Sequence, residues 1–261
     1  MPDLRTVIDS FALDGQEWIV EAPAVWAQGR TLYGGMTAAL SHAAAVKAFG
    51  GDLPQLRSAQ IAFLGPATGQ LHFAPTILRQ GRSATIVAVD CRNEAGMVAR
   101  TTFIFGAARE SRIAWDGPAP PSVPPPDACE RFLNPKAQPE FAANFEMRLA
   151  GGQRPGASGD PHFSVWVRFA SAQHIDPTTA ILALGDALPP GALVLFTERA
   201  PISSMNWTID LCAAPAAHDN WHLMDTTSEQ IGEGYALQYM RIWDAAGRAV
   251  AFGRQVVAIF G

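Results

Sequence analysis

One pattern occurs twice in this chain. Arg92 to Ala99 (Arg-Asn-Glu-Ala-Gly-Met-Val-Ala) leads into an apolar run ending at Phe105-Gly106, and Trp243 to Ala251 (Trp-Asp-Ala-Ala-Gly-Arg-Ala-Val-Ala) leads into another ending at Phe260-Gly261. Gly247 follows Gly96 by 151 positions (247 − 96), and Gly34-Gly35 has an echo at the same spacing in Gly185-Asp186. Solenoid units recur about every 20–50 residues, so this spacing indicates a duplicated domain instead. A duplicated domain either builds its site from both copies or keeps it in one.

The composition leaves room for such a pair. With 261 residues, 48% of them hydrophobic, the chain can form one large core or two ordinary ones. A net charge of −5, with lysines and arginines scattered, argues against a nucleic-acid partner. Cys91, Cys129 and Cys212 are odd in number and lack metal-ligand spacing; Cys91, within an apolar strand pattern, reads as an ordinary buried thiol. No secretory signal precedes the first apolar segment, and no run approaches eighteen apolar residues. The expectation is a cytoplasmic protein with no membrane partner.

Six prolines between Asp116 and Asp127 exclude a helix or central strand there and read as a stiff connector. Residues 1–115 are expected to form one unit, 116–159 a proline- and glycine-rich crossing, and 160–261 a second unit. In the first unit, Gly34 to Phe49 is rich in helix formers, free of proline and apolar on more than one stripe, as in a buried helix. Strand-like runs follow at Leu56–Leu64, Gly69–Arg79, Ser83–Cys91 and Met97–Phe105, separated by turn residues. In the second unit Asp176-Pro177-Thr178-Thr179 starts a helix, and strands are expected at Ser204–Leu211, Trp221–Thr227, Gly234–Trp243 and Arg248–Phe260. Both halves therefore predict an α+β unit in which an antiparallel sheet wraps a helix.

Gly-Gly-Met (34–36), Leu-Arg-Ser (56–58), Phe-Leu-Gly-Pro (63–66), Leu-Arg-Gln-Gly-Arg-Ser (78–83) and Gly-Met-Val-Ala (96–99) resemble, in that order, the first half of the type II acyl-CoA thioesterases. Trp-His-Leu (221–223), Gly-Tyr (234–235), Ile-Trp-Asp-Ala-Ala-Gly (242–247) and Arg-Gln-Val-Val (254–257) are similar to their second half. The resemblance implies a double hotdog, two tandem units each with a long central helix wrapped by an antiparallel sheet. It also implies an acyl-CoA substrate, no metal or other cofactor, and a homodimer or higher homo-oligomer.

Thioester hydrolysis needs a positioned water, a group to take its proton, and donors toward the developing oxyanion. Carried over residue by residue, the resemblance implies Asp186 as the base, with Ser204 (Ser203 being the adjacent alternative) and Gln255 holding the water. Asn206 stands where many relatives carry a further acid. Read without the family, Asp186 is either a partly buried acid of raised pKa or a helix-end acid before Pro189. Gln255 is a buried amide in need of partners, and Ser204 an ordinary surface serine. Gly34 and Gly35 at a helix start allow main chain to approach a thioester carbonyl, or serve close packing. Met36 replaces the polar amide that many relatives carry there. Arg79 and Arg82 could meet coenzyme A phosphates, though arginines around a hairpin are usually solvated.

Among the alternatives, the six histidines show no metal-binding pair on a helix, and there is no Gly-x-Ser-x-Gly elbow. Two readings stay open: a catalytically inactive acyl-CoA binder, and a hotdog enoyl-CoA hydratase, which needs an Asp/His dyad not evident in the helix region.

Overall fold

The computed structural model describes residues 2–172, 174–198, 200–212 and 220–260. The first half contains α1 (Leu4–Asp9), β1 (Ala12–Asp14), β2 (Glu17–Glu21), β3 (Ala27–Gln28), β4 (Thr31–Leu32), α2 (Gly34–Phe49), β5 (Leu56–Phe63), β6 (Gln70–Gln80), β7 (Ala84–Asn93) and β8 (Gly96–Gly106). The remainder contains β9 (Glu130–Arg131), β10 (Phe145–Gly152), β11 (His162–Phe169), α3 (Pro177–Gly185), β12 (Ile202–Leu211), β13 (His222–Gly232), β14 (Tyr235–Asp244) and β15 (Ala249–Ile259).

Thirteen strands form a single sheet in the order β1-β2-β6-β7-β8-β5-β12-β15-β14-β13-β11-β10-β9, and β3 pairs with β4 apart from it. The halves join where β5 pairs antiparallel with β12, Ile61 opposite Trp207. Outward from that seam the order β5-β8-β7-β6 is matched by β12-β15-β14-β13, the duplication written in strand order. Gly96 and Gly247 come at the far ends of the matching turns, β7 to β8 and β14 to β15.

Alternation selects the inner face of each strand. In β7, Thr85, Val87, Val89 and Cys91 are buried while Ile86, Ala88 and Asp90 are half-buried. The Cys91 thiol is the buried one its pattern predicted, and desolvation pushes its pKa up to about 12. Helix α2 is buried continuously from Gly35 to Ala45, as its broad apolar surface required. Its many alanines let α3 and the sheet approach closely.

Three expectations change. The second central helix is not long: α3 has nine residues, beginning at Pro177 with Asp176 capping the Thr179 N–H and ending at Gly185 with Asp186 as its C-cap, ahead of Pro189-Pro190. The echo of Gly34-Gly35 in Gly185-Asp186 is not a structural equivalence, because the first pair opens α2 and the second closes α3. The crossing is not merely a connector, since β10 pairs with β11 and β9 edges the sheet. Its prolines are held down by two indoles: Trp166 Nε1 donates to Pro124 O at 2.9 Å and Trp243 Nε1 to Pro118 O at 3.0 Å.

Candidate active site

α2 begins without a side-chain cap, since Tyr33 occupies the N-cap position and makes no capping bond. The first N–H groups of a helix lack internal partners and carry the positive end of its dipole. Here Asp186, at the end of α3, fills that gap by accepting from the Gly35 N–H. The helices run antiparallel: the end of α3 meets the start of α2, while Thr179 near the start of α3 meets His42 midway along α2.

The fit is close. A Cβ on Gly34 would stand 2.6 Å from Asp186 Oδ2 and 2.8 Å from Phe63 Cζ. On Gly35 it would stand 2.6 Å from Ala183 O, which also accepts from Tyr33 Oη at 2.9 Å. The two glycines thus admit an aspartate of this same chain, and the Gly35 N–H foreseen for a thioester carbonyl is engaged by it.

Gln255 comes to the same carboxylate from β15. Its Nε2 donates to Asp186 Oδ1 at 2.5 Å, and its Oε1 accepts from Gln238 Nε2 at 3.1 Å. Gln238 Oε1 in turn accepts the backbone N–H of Gly191 at 2.8 Å. Asp186 is half-buried, whereas Gln255 and Gln238 are buried. Burial raises the Asp186 pKa to about 6, against the lowering effect of Gln255 and the Gly35 N–H. The Tyr33 phenol is pushed well above its ordinary range, by burial first and then by the neighbouring Asp186 charge.

Ser204 and Asn206 part company. Ser204 pairs with Val257, Asn206 with Val256 and Trp207 with Gln255, so a bulge at Met205 sits between them. Residues 255 and 257 share the inner face; the bulge therefore turns Ser204 inward beside Trp207, where plain alternation would point it out. Asn206 lies on the outer face, exposed, with Oδ1 accepting the Val256 N–H at 3.0 Å. The structure does not bring Asn206 to Asp186.

Nor does it bring Arg79 and Arg82 there. Both are exposed at the β6–β7 hairpin. Through Ile86 and Ile104, Arg79 lies level with Ser58, five residues along β5 from Phe63. At about 3.3 Å per residue that is an offset of roughly 16 Å along the strands from Phe63, with β7 and β8 lying between as well. Met36 is fully buried in the first turn of α2.

Two groupings went unseen in the sequence. Gln238 is one; its signal is a polar residue in the inward phase Ala236, Gln238, Met240, Ile242. The other corrects the expectation that no acid–histidine pair exists near the helices. His42 Nδ1 lies 2.8 Å from Thr179 Oγ1 and 3.9 Å from Asp176 Oδ1. That histidine is buried against Phe103 and Phe105, and desolvation lowers its pKa to about 4, so it behaves as a packed neutral residue.

Residues 22–106 match the model of the acyl-CoA thioesterase N-terminal domain, and 120–259 that of the acyl-CoA thioesterase C-terminal domain. The chain belongs to the acyl-CoA thioesterase family. It is thereby a thioester hydrolase. Among solved structures, a hotdog-fold protein of unknown function from Alicyclobacillus acidocaldarius is 23% identical over 100% of this chain and 99% of its own, with a TM-score of 0.90. An acyl-CoA thioesterase II from Mycobacterium marinum is 20% identical over 99% of each chain, with a TM-score of 0.78. A dehydratase domain from Pseudomonas fluorescens also shares the fold, at 13% identity over 98% of this chain and 99% of its own, with a TM-score of 0.56. Likeness at this identity shows the hotdog fold alone. A search of curated proteins found no significant match. Among the described residues of this thioesterase, no helix is long and apolar enough to cross a membrane.

Proposed function

We propose that the chain hydrolyses acyl-CoA thioesters by attack of a water molecule whose proton passes to Asp186. The observation that carries this reading is the Asp186 carboxylate held between Gln255 Nε2 and the Gly35 N–H at the open start of α2. A pKa of about 6 leaves most of this carboxylate ionised near neutrality, yet basic enough to take a proton. Oδ1 and Oδ2 retain lone pairs beyond these donors, and a water on one of them can deliver its proton as its oxygen attacks the thioester carbon. Gln255 Nε2 has a second N–H, which can hold that water or the carbonyl oxygen as charge develops. Ser204, on the same inner face two ladder positions beyond Gln255, offers a hydroxyl to the water. Collapse of the tetrahedral intermediate expels the coenzyme A thiolate, which leaves with the free acid.

The test is thiol release from a panel of acyl-CoAs of varied chain length, wild type beside Asp186→Asn. The expected result is turnover in the wild type and a loss of about 10²–10⁴-fold in the variant, the usual contribution of a general base. Unchanged release in Asp186→Asn would move the base elsewhere. Acyl-CoA binding without turnover by the wild type would favour the inactive binder.

A further inference from the structure

We infer that Gln238 is a positioning residue, which fixes the way round that the Gln255 carboxamide faces Asp186. The inference rests on the reading of Asp186 as the base. A glutamine amide is nearly symmetric in shape but not in hydrogen bonding: one end only accepts and the other only donates. Against an ionised carboxylate the NH2 end is favourable, whereas the reversed amide would set Oε1 against Asp186 Oδ1. Nothing in Gln255 itself prevents that reversal.

The chain of bonds behind Gln255 does prevent it. A backbone N–H can only donate, and that of Gly191 donates to Gln238 Oε1 at 2.8 Å. This commits the Gln238 NH2 to Gln255 Oε1, at 3.1 Å, and leaves the Gln255 NH2 for Asp186, at 2.5 Å. Direction is thus imposed by a main-chain group that cannot turn over. Gln238 and Gln255 are directly opposed in the β14–β15 ladder, 1% and 4% exposed, so water cannot readily replace either partner.

Gly191 reaches its place because it has no side chain. A Cβ there would stand 2.5 Å from Pro161 O and 3.0 Å from Ser228 N. Pro189-Pro190 delivers it to the start of a short 3-10 turn, Gly191–Leu195, with Ala192 and Val194 buried beneath it. The anchor therefore follows Asp186 by only five residues (191 − 186), on the segment that leaves α3.

Asp186 is faced by few other groups. The start of α2 supplies the Gly35 N–H and the Tyr33 phenol, β15 supplies Gln255, and β5 and β12 supply the rings of Phe63 and Trp207 about the flanking glycines. Of these only Tyr33 is titratable, and its raised pKa keeps it neutral across the range in which Asp186 titrates. The orientation of the Gln255 amide should therefore be readable in the Asp186 titration itself.

The experiment is the Asp186 carboxyl titration by carbon-13 NMR in the resting protein, with Asp186→Asn identifying the resonance. Gln238→Met keeps length and removes both hydrogen bonds; the midpoint should rise by about one pH unit as the amide gains freedom to turn. Under hydrolysis conditions Gln238→Met should lower kcat about tenfold with KM unchanged, and move the acid limb of the rate profile by the same amount as the midpoint. A folded Gln238→Met protein with the wild-type midpoint would overturn the inference. The wild type supplies a reading that needs no variant: the Gln238 carboxamide protons should shift with the Asp186 midpoint, and their indifference would equally overturn it. Because the titration uses no substrate, its failure is distinct from a failure to hydrolyse acyl-CoA.

Discussion

Gly34 leaves the space that the Asp186 carboxylate occupies: a Cβ on Gly34 would meet Oδ2 at 2.6 Å, with Phe63 Cζ at 2.8 Å closing the other side. The base and the helix start that receives it are therefore fitted across 152 residues of chain (186 − 34). Gly34→Ala should push the carboxylate off Gln255 and Gly35 with little scope for relaxation. Overpacking of this kind typically costs about 1–3 kcal/mol of stability. We expect kcat to fall at least tenfold, more than the drop in Tm alone would explain. Thiol release and thermal melts on the same preparation check this; unaltered kcat would mean that Asp186 does not need its present position.

The raised pKa of Asp186 also fixes a pH dependence of two opposite signs. Activity requires the ionised form, so kcat/KM should fall as pH drops through about 6. Stability behaves the other way. The folded-state pKa lies above the unfolded value, so the native state binds the extra proton between about pH 4 and 6. The contribution of Asp186 to stability is fully present below about pH 4 and is lost as pH rises through about 6. With a carboxyl that titrates near 6 folded and near 4 unfolded, the swing is about 2–3 kcal/mol. Asp186→Asn should flatten this part of the stability–pH curve in urea titrations while abolishing the acid limb of activity. A wild-type curve with no decline between pH 4 and 7 that Asp186→Asn removes would contradict the assignment.

The strands were legible because apolar runs are bounded by turn residues, and α2 because sixteen residues without proline end at Gly50. Asp186 and Gln255 were visible through their family resemblance. Their environment was not, since the Gly35 N–H, Gln238 and Gly191 reach the site only through tertiary packing. Gln238 did leave a trace, as a polar residue in the buried phase of β14. Ser204 left a misleading one: counted from Trp207 it points outward, and only the bulge at Met205 reverses it. The shortness of α3 was legible in Pro177 at its start and Pro189-Pro190 soon after its end; the expectation of a long second helix came from the resemblance alone.

That bulge separates two residues that lie two positions apart. Ser204→Ala removes an inner-face hydroxyl from the row containing Gln255 and should lower kcat about tenfold with little effect on Tm. Asn206→Ala removes the acceptor for the Val256 N–H on the outer face, so it should leave kcat near wild type and cost about 1 kcal/mol of stability. Measuring kcat and the urea midpoint for both variants decides the matter. If Asn206→Ala loses activity while Ser204→Ala keeps it, the inner-face assignment is wrong.

The proline-rich segment offers a prediction independent of the chemistry. Trp166 and Trp243 hold it through their indole N–H groups to Pro124 O and Pro118 O. A proline-rich chain already favours extended conformations, so fastening it costs less entropy than fastening a flexible loop. Two hydrogen bonds at about 0.5–1.5 kcal/mol each should then appear nearly in full as stability. Trp166→Phe and Trp243→Phe keep the aromatic surface and remove only the donor. Each should lower the free energy of unfolding by about 1 kcal/mol; because the two indoles stand level on β11 and β14, with only Leu223 of β13 between them, and fasten one segment, the loss in the double variant should differ from the sum of the singles by at least about 0.5 kcal/mol. Neither indole N–H belongs to the Asp186 bond chain, so kcat should stay unchanged in the double variant. A double variant as stable as the wild type would show that the segment is held by packing rather than by these two bonds.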